Sequence, residues 1–180
     1  WLLEGGTPLK WQPYKAMLQQ DFALRSAAAY DGDNAYLPLR IDEYWRIPDD
    51  LQTVYRFGDA LQLRHWRLTQ DDVRVQPCQP ITIESWWQAD TTPTANYALT
   101  LVIANQQGNG IAQNDGPPAD ILTKLWQAGQ LYPDDRSVTV PCDTPPGAYN
   151  LLFGAYDIET GATLPITPGG AAYLTTITVE

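Results

Sequence analysis

The sequence predicts a mainly β protein, an antiparallel β-sandwich of Ig-like or jelly-roll-like build with a small N-terminal β-α-β extension. Three observations carry this. The stretch from Pro141 to Gly161, PCDTPPGAYNLLFGAYDIETG, alternates Tyr149, Leu151, Phe153 and Ala155 against Asn150, Leu152, Gly154 and Tyr156, and both sets are largely apolar, as in a strand covered on two sides. Short runs of the same kind recur with turn signals between them, the spacing of a sandwich rather than of βαβ winding. Finally, 15 Pro, 7 Trp and 10 Tyr against only 11 Lys and Arg suit a rigid, loop-rich β domain.

The elements follow in order. Trp1 to Glu4 is a strand end running into Gly5, Gly6, Thr7 and Pro8. From Pro13 to Tyr30 the residues favour helix, with Leu18, Phe22, Arg25 and Ala29 along one stripe, and Asp31 to Asn34 stops it at Gly32. Ala35 to Trp45 reads as a strand that Pro38 confines to an edge or a bulge. Residues 1–52 are thus a β-α-β extension, the tail of an upstream segment, and 53–180 are the sandwich. Its strands are Val54 to Leu68, Ile81 to Ala89, Tyr97 to Asn105, Gly110 to Asn114, Ser137 to Val140, the Tyr149 strand and Ala172 to Val179. Gln106 to Gly110 is a hairpin turn, and Pro117 to Gly129 is a long connection with one helical turn near Ile121 to Trp126.

Composition limits the function. A chain of 180 residues buries roughly 70% of its unfolded surface, enough for a core without metals. Its 21 acidic residues give a net charge of −10, which repels phosphate backbones and anionic headgroups, so no nucleic acid partner is expected. No apolar run reaches the length of a membrane span, so no membrane insertion is expected of these residues. Trp1 opens the chain without Met, a basic stretch or an apolar leader, so the chain is read as a piece of something longer. Cys78 and Cys142 both sit beside prolines at strand beginnings; bridged, they would place the domain in an oxidising, extracytoplasmic compartment.

The residues that could carry chemistry are few. His65 is the single histidine, and general acid–base or nucleophilic work would need a Ser or Cys and an oriented carboxylate beside it; it reads as a structural or surface histidine. One His and no ligand-spaced Cys pair cannot assemble zinc. Asp31-Gly32-Asp33-Asn34 begins like a calcium loop but lacks the later Glu, so it reads as a turn. Asp115, Asp134 and Asp157 could converge as a calcium or sugar site, although turn residues accepting backbone N–H groups are the plainer reading. No catalytic residue, metal or cofactor is assigned. Trp86 and Trp87 must point to opposite faces of one strand. Ile81, Ile83 and Ser85 take Trp87 into the core and leave Trp86 with Thr82, Glu84 and Gln88. A flat ring among polar side chains can stack on a sugar, so Trp86 with Glu84 and Gln88, joined by Trp66 or Trp126, is the candidate glycan platform. The competing reading buries these rings under a loop or the N-terminal piece.

Several short motifs recur in a familiar order. These are Phe57-Gly58-Asp59 with Leu61, Leu63 and Trp66; Trp87-Gln88-Ala89; Gln113-x-Asp115; Trp126-x-x-Gly129 with Asp134 and Pro141; Pro145-Pro146-Gly147-x-Tyr149; and Tyr156-Asp157-x-x-Thr160-Gly161. Over about residues 54–180 they resemble the soluble β-sandwich at the C-terminus of large bacterial multi-pass membrane proteins. Those parents are similar to lipid-linked-sugar glycosyltransferases of the dolichyl-phosphate mannosyltransferase and aminoarabinose transferase type. His65 stands where such domains usually carry glycine and Gln130 where they carry an acid; the two cysteines are a further departure. The resemblance implies a non-catalytic, extracytoplasmic accessory domain, tethered through an upstream membrane region and contacting a glycan or its parent protein, and it transfers no catalytic residue. A secreted carbohydrate-binding module is the alternative, and a monomer is expected in either case.

Overall fold

The computed structural model describes residues 2–4, 18–30 and 39–180, which divide into two compact units, Trp1–Leu51 and Gln52–Glu180. The first unit is a three-stranded antiparallel sheet of β1 (Leu2–Glu4), β2 (Phe22–Tyr30) and β3 (Leu39–Arg46), in the order β1-β3-β2. Helix was expected over Pro13 to Tyr30, but only residues 18–21 are helical among those described there. From Phe22 the chain is a strand paired along β3. Cross-strand pairing overrides the helix preference of the alanine cluster, a local bias of only tenths of a kcal/mol per residue. β3 is the middle strand, not the edge strand expected from Pro38, which with the Asp31 to Asn34 turn lies outside the described residues.

The second unit is a sandwich of two five-stranded sheets. Its strands are β4 (Tyr55–Phe57), β5 (Leu61–Leu68), β6 (Arg74–Val75), β7 (Pro80–Gln88), β8 (Tyr97–Ala104), β9 (Gly110–Gly116), β10 (Tyr132–Thr139), β11 (Gly147–Asp157), β12 (Ile166–Thr167) and β13 (Ala172–Val179). One sheet runs β10-β7-β5-β4-β12 and the other β6-β13-β11-β8-β9. Every pairing is antiparallel except that of β6 with β13. The run from Val54 to Leu68 is two strands, because Gly58 at φ +54° turns the chain between Phe57 and Ala60.

β11 lies at the centre of the second sheet, between β13 and β8. Tyr149, Leu151, Phe153 and Ala155 are buried, whereas Asn150, Leu152, Gly154 and Tyr156 are half-buried. One face therefore meets the core and the other is only partly covered, which corrects the expectation of cover on both sides. Opposite it, Ile81, Ile83, Ser85 and Trp87 of β7 point inward and are fully buried. The Trp87 ring joins the layers, with centroids 5.2 Å from Phe57 and 5.3 Å, edge-on, from Phe153. Its indole N–H donates to Ser85 Oγ at 2.8 Å, and that hydroxyl donates to the Asp134 carbonyl at 3.3 Å, so both of these buried groups are satisfied. No described helix is long and apolar enough to cross a membrane.

Candidate functional site

The sequence grouped Trp86, Glu84 and Gln88 with Trp66 or Trp126, and the structure separates the three tryptophans. A bulge between Leu63 and His65 shifts the register of β5 by one residue. His65 and Arg67 therefore lie across from Trp86 and Glu84 and share their face, while Trp66 lies across from Ser85 and turns, half-buried, to the core side. Trp86 is 3% exposed. His65 meets its ring edge-on at 5.2 Å and the Arg67 guanidinium stands 6.0 Å from its centroid. A ring so enclosed has no free face on which a sugar could lie.

The polar residues beside Trp86 are also engaged. Arg67 Nε donates to Glu84 Oε2 at 2.6 Å, Arg64 Nη1 donates to Gln88 Oε1, and Gln88 Nε2 donates to the Gly129 carbonyl. Trp126 is 1% exposed and stacks at 4.1 Å and 8° on Tyr132, in the core. Burial pushes the Tyr132 phenol up from its ordinary value, against the N–H of Gln127 donating to its oxygen. Trp86, Trp66 and Trp126 thus form no common platform. The physical reason is the bulge for Trp66 and core packing for Trp126.

The three aspartates do not converge either. Asp134 is buried and accepts from the Ala119 N–H at 2.8 Å and from Arg136 Nη2 at 3.3 Å. Asp157 accepts the N–H groups of Glu159 and Thr160, which, with Thr160 foremost, hold its carboxyl below the usual range. Asp115 accepts from Gln113 Nε2. Among the described residues no three His, Cys, Asp or Glu side chains gather as a metal site.

A concave feature of the sandwich, among the described residues, is at the disulfide end. Cys78 and Cys142 are bridged, with Cα atoms 4.4 Å apart. The N–H of Cys78 donates to the Val140 carbonyl, and that of Val140 to the Gln79 carbonyl, each at 2.9 Å. Cys78 holds φ +67°, a conformation uncommon for a residue with a side chain. The bridge and both hydrogen bonds fix it there. Beyond Cys142 the chain turns tightly: the Thr144 N–H donates to the Pro141 carbonyl at 3.1 Å, and the Tyr149 hydroxyl to the Pro145 carbonyl at 3.0 Å.

Between this loop and the second sheet lies a cleft of about 330 Å³, lined by Ile111 of β9, Pro141, Asp143, Thr144, Pro145 and Tyr149. Its size is at the lower end of small-ligand sites, which pair apolar walls with a few polar groups. Here Ile111 and two prolines are the walls, with Tyr149 and Thr144, 8% and 7% exposed, at the floor, and Asp143 is the exposed polar residue. Two prolines and a bridge make the lining rigid, so little ordering entropy is lost on binding. Sequence reasoning missed these residues. The available signal was the Cys-Asp-Thr-Pro-Pro run, a stiffened loop beside a predicted disulfide.

No protein-family model matches the chain, and no curated protein matches it in sequence. Among solved structures the chain is similar to the C-terminal domain of Wzt, with a TM-score of 0.53 and 12% identity over 73% of this chain and 81% of that one. A Niemann-Pick type C2 protein from Japanese carpenter ant aligns with a TM-score of 0.45 and 4% identity, over 72% of this chain and 98% of that one. A β-glucuronidase of Bacteroides uniformis aligns at 0.42 and 15%, over 77% of this chain and 18% of that one. The likeness to the Wzt domain is one of fold: both are β domains.

Proposed function

We propose that the chain is a non-catalytic, extracytoplasmic β-sandwich that contacts glycans at the disulfide-end cleft. In this reading it serves as an accessory domain of a glycosyltransferase-like parent, tethered through an upstream membrane region, and works as a monomer. The cleft is the observation that carries the proposal, because it sets apolar walls and the edge of an aromatic ring beside an exposed carboxylate. Saccharides offer that same pairing of C–H faces and hydroxyls. The Cys78–Cys142 bridge supports the compartment, since structural disulfides persist in oxidising surroundings. The non-catalytic reading is supported by Asp134 and Asp157, both engaged within the fold, and by His65 packed on the Trp86 ring.

The second reading, a secreted carbohydrate-binding module, draws on the fact that the described lining residues of the cleft lie within the unit Gln52–Glu180. The complete reading frame separates the two: a series of apolar spans upstream supports the tethered domain, and a secretion signal alone supports the module. A glycan array probed with the full chain and with Tyr149→Ala tests the shared claim. Binding by the parent chain that the variant loses is the expected result, with circular dichroism confirming that the variant is folded. A chain that binds no glycan contradicts the proposal.

A further inference from the structure

The charge of the cleft narrows its ligand. Among the six described lining residues the one charged type is Asp143, and it is acidic; no described Lys, Arg or His lines the cleft. Asp143 is solvent-exposed, so it keeps its water until a ligand arrives and can then take two hydroxyl hydrogens on its two oxygens. Hydrogen bonds to an ionised acceptor are about twice as strong as neutral ones. A ligand that is itself anionic meets the opposite situation, since its carboxylate or phosphate would sit against Asp143 with no cation to offset it. The chain as a whole carries a net charge of −10, which lowers the local concentration of anions further.

We infer that the cleft takes uncharged saccharide residues and rejects uronate and phosphorylated ones. The inference rests on the glycan reading given above and adds the ligand class. In a neutral pyranose, the C–H face lies against Ile111, Pro145 and the edge that the largely buried Tyr149 ring shows to the cleft, while adjacent hydroxyls reach the exposed Asp143 carboxylate. Tyr149 is suited to this because its own hydroxyl is already committed to the Pro145 carbonyl, which fixes the ring plane. Of the other acidic groups described above, Glu84 is paired with Arg67, and the buried Asp134 with Arg136.

The test uses the full chain and defined probes: the methyl glycosides of glucose, galactose and mannose, and the methyl glycosides of glucuronic and galacturonic acid. Binding is followed by NMR titration at neutral pH. At least one neutral glycoside should bind. Its uronate counterpart should bind about fivefold more weakly at about 10 mM ionic strength, the effect of like charges a few ångströms apart near water. At about 1 M salt that gap should close, because the screening length falls to about 3 Å. Asp143→Asn, a change at an exposed position, should bring the uronate to within about twofold of the neutral sugar by removing the repelling charge. A uronate that binds as well as or better than its neutral counterpart overturns the inference while the glycan reading stands. The same holds for a gap that Asp143→Asn leaves unchanged. If none of the five glycosides binds, the glycan reading falls and takes this inference with it.

Discussion

Asp134→Ala should be among the most damaging single changes in the sandwich. The side chains of Arg136 and Asp134 are 6% and 1% exposed and form an ion pair at 3.3 Å. Asp134 Oδ1 also accepts from Ala119 N–H, and Arg136 Nη2 donates to the Gly116 and Pro117 carbonyls at 3.3 and 3.2 Å. Ala119 and Asp120 hold φ of +56° and +54°, a backbone that costs about 1–2 kcal/mol per residue, so the carboxylate anchors a strained turn. Removing it leaves a buried guanidinium without counter-charge and an N–H without acceptor, a loss of about 3–5 kcal/mol. For a unit of this size that corresponds to a fall in Tm of roughly 10–15 °C. Differential scanning calorimetry and urea unfolding measure it, and amide exchange at Ala119 should accelerate. The double variant Asp134→Leu with Arg136→Met should recover most of the loss, because an apolar pair replaces the ion pair without leaving a buried charge. A cost below about 1 kcal/mol for Asp134→Ala, or a double variant worse than the sum of the singles, would refute this account of the network.

Other consequences can be checked alongside. Replacing both Cys78 and Cys142 by Ser opens a loop of 64 residues and should cost about 4 kcal/mol in urea unfolding on the chain-entropy model; a cost near zero would show that the bridge only decorates the fold. Gly154→Ala places a Cβ 2.7 Å from Thr100 Cγ2, a stiff β-branched neighbour, and should destabilise by about 1–3 kcal/mol. Thr100→Ser in the same chain should restore part of that loss, and no rescue would place the clash elsewhere. Three exposed carboxyls are held below 3.8: Asp72 mainly by the Arg74 side chain, Asp90 by that of Arg56, and Asp157 by the Thr160 N–H. A lowered native value means stability that is present above the unfolded value and lost as pH falls through the native one. Tm should therefore be level above about pH 5 and decline below 3.8, and a Tm that rises on acidification would contradict the sign.

What the sequence disclosed follows from where its alternation is clean. β11 has an unbroken period-two pattern, β13 keeps one on either side of a phase change at Thr175-Thr176, and Trp87 follows Ile81, Ile83 and Ser85 inward. Those elements and the cysteine pairing were legible. β10 was read as Ser137 to Val140 but begins at Tyr132, because its inward positions include Asp134 and Arg136. A buried ion pair looks like surface in a hydrophobicity pattern. β2 carries three successive alanines, and its strand state is set by its partner β3, which no local propensity reports. Trp66 was grouped with Trp86, but the bulge between Leu63 and His65, which the run Leu-Arg-His does not fix, turns it to the core side. Trp86 was assigned to the correct face, yet its enclosure by His65 and Arg67 depends on a neighbouring strand. The cleft joins Ile111 to residues more than 25 positions away, a proximity that only the packed sheets create.

The most direct measurement is a map of amide shifts on the isotope-labelled chain as a neutral glycan found on the array is added. Perturbations confined to Ile111, Cys142 to Thr144 and Tyr149 are the predicted result. Shifts centred instead on Glu84, Trp86 and Gln88, with the cleft silent, would contradict it.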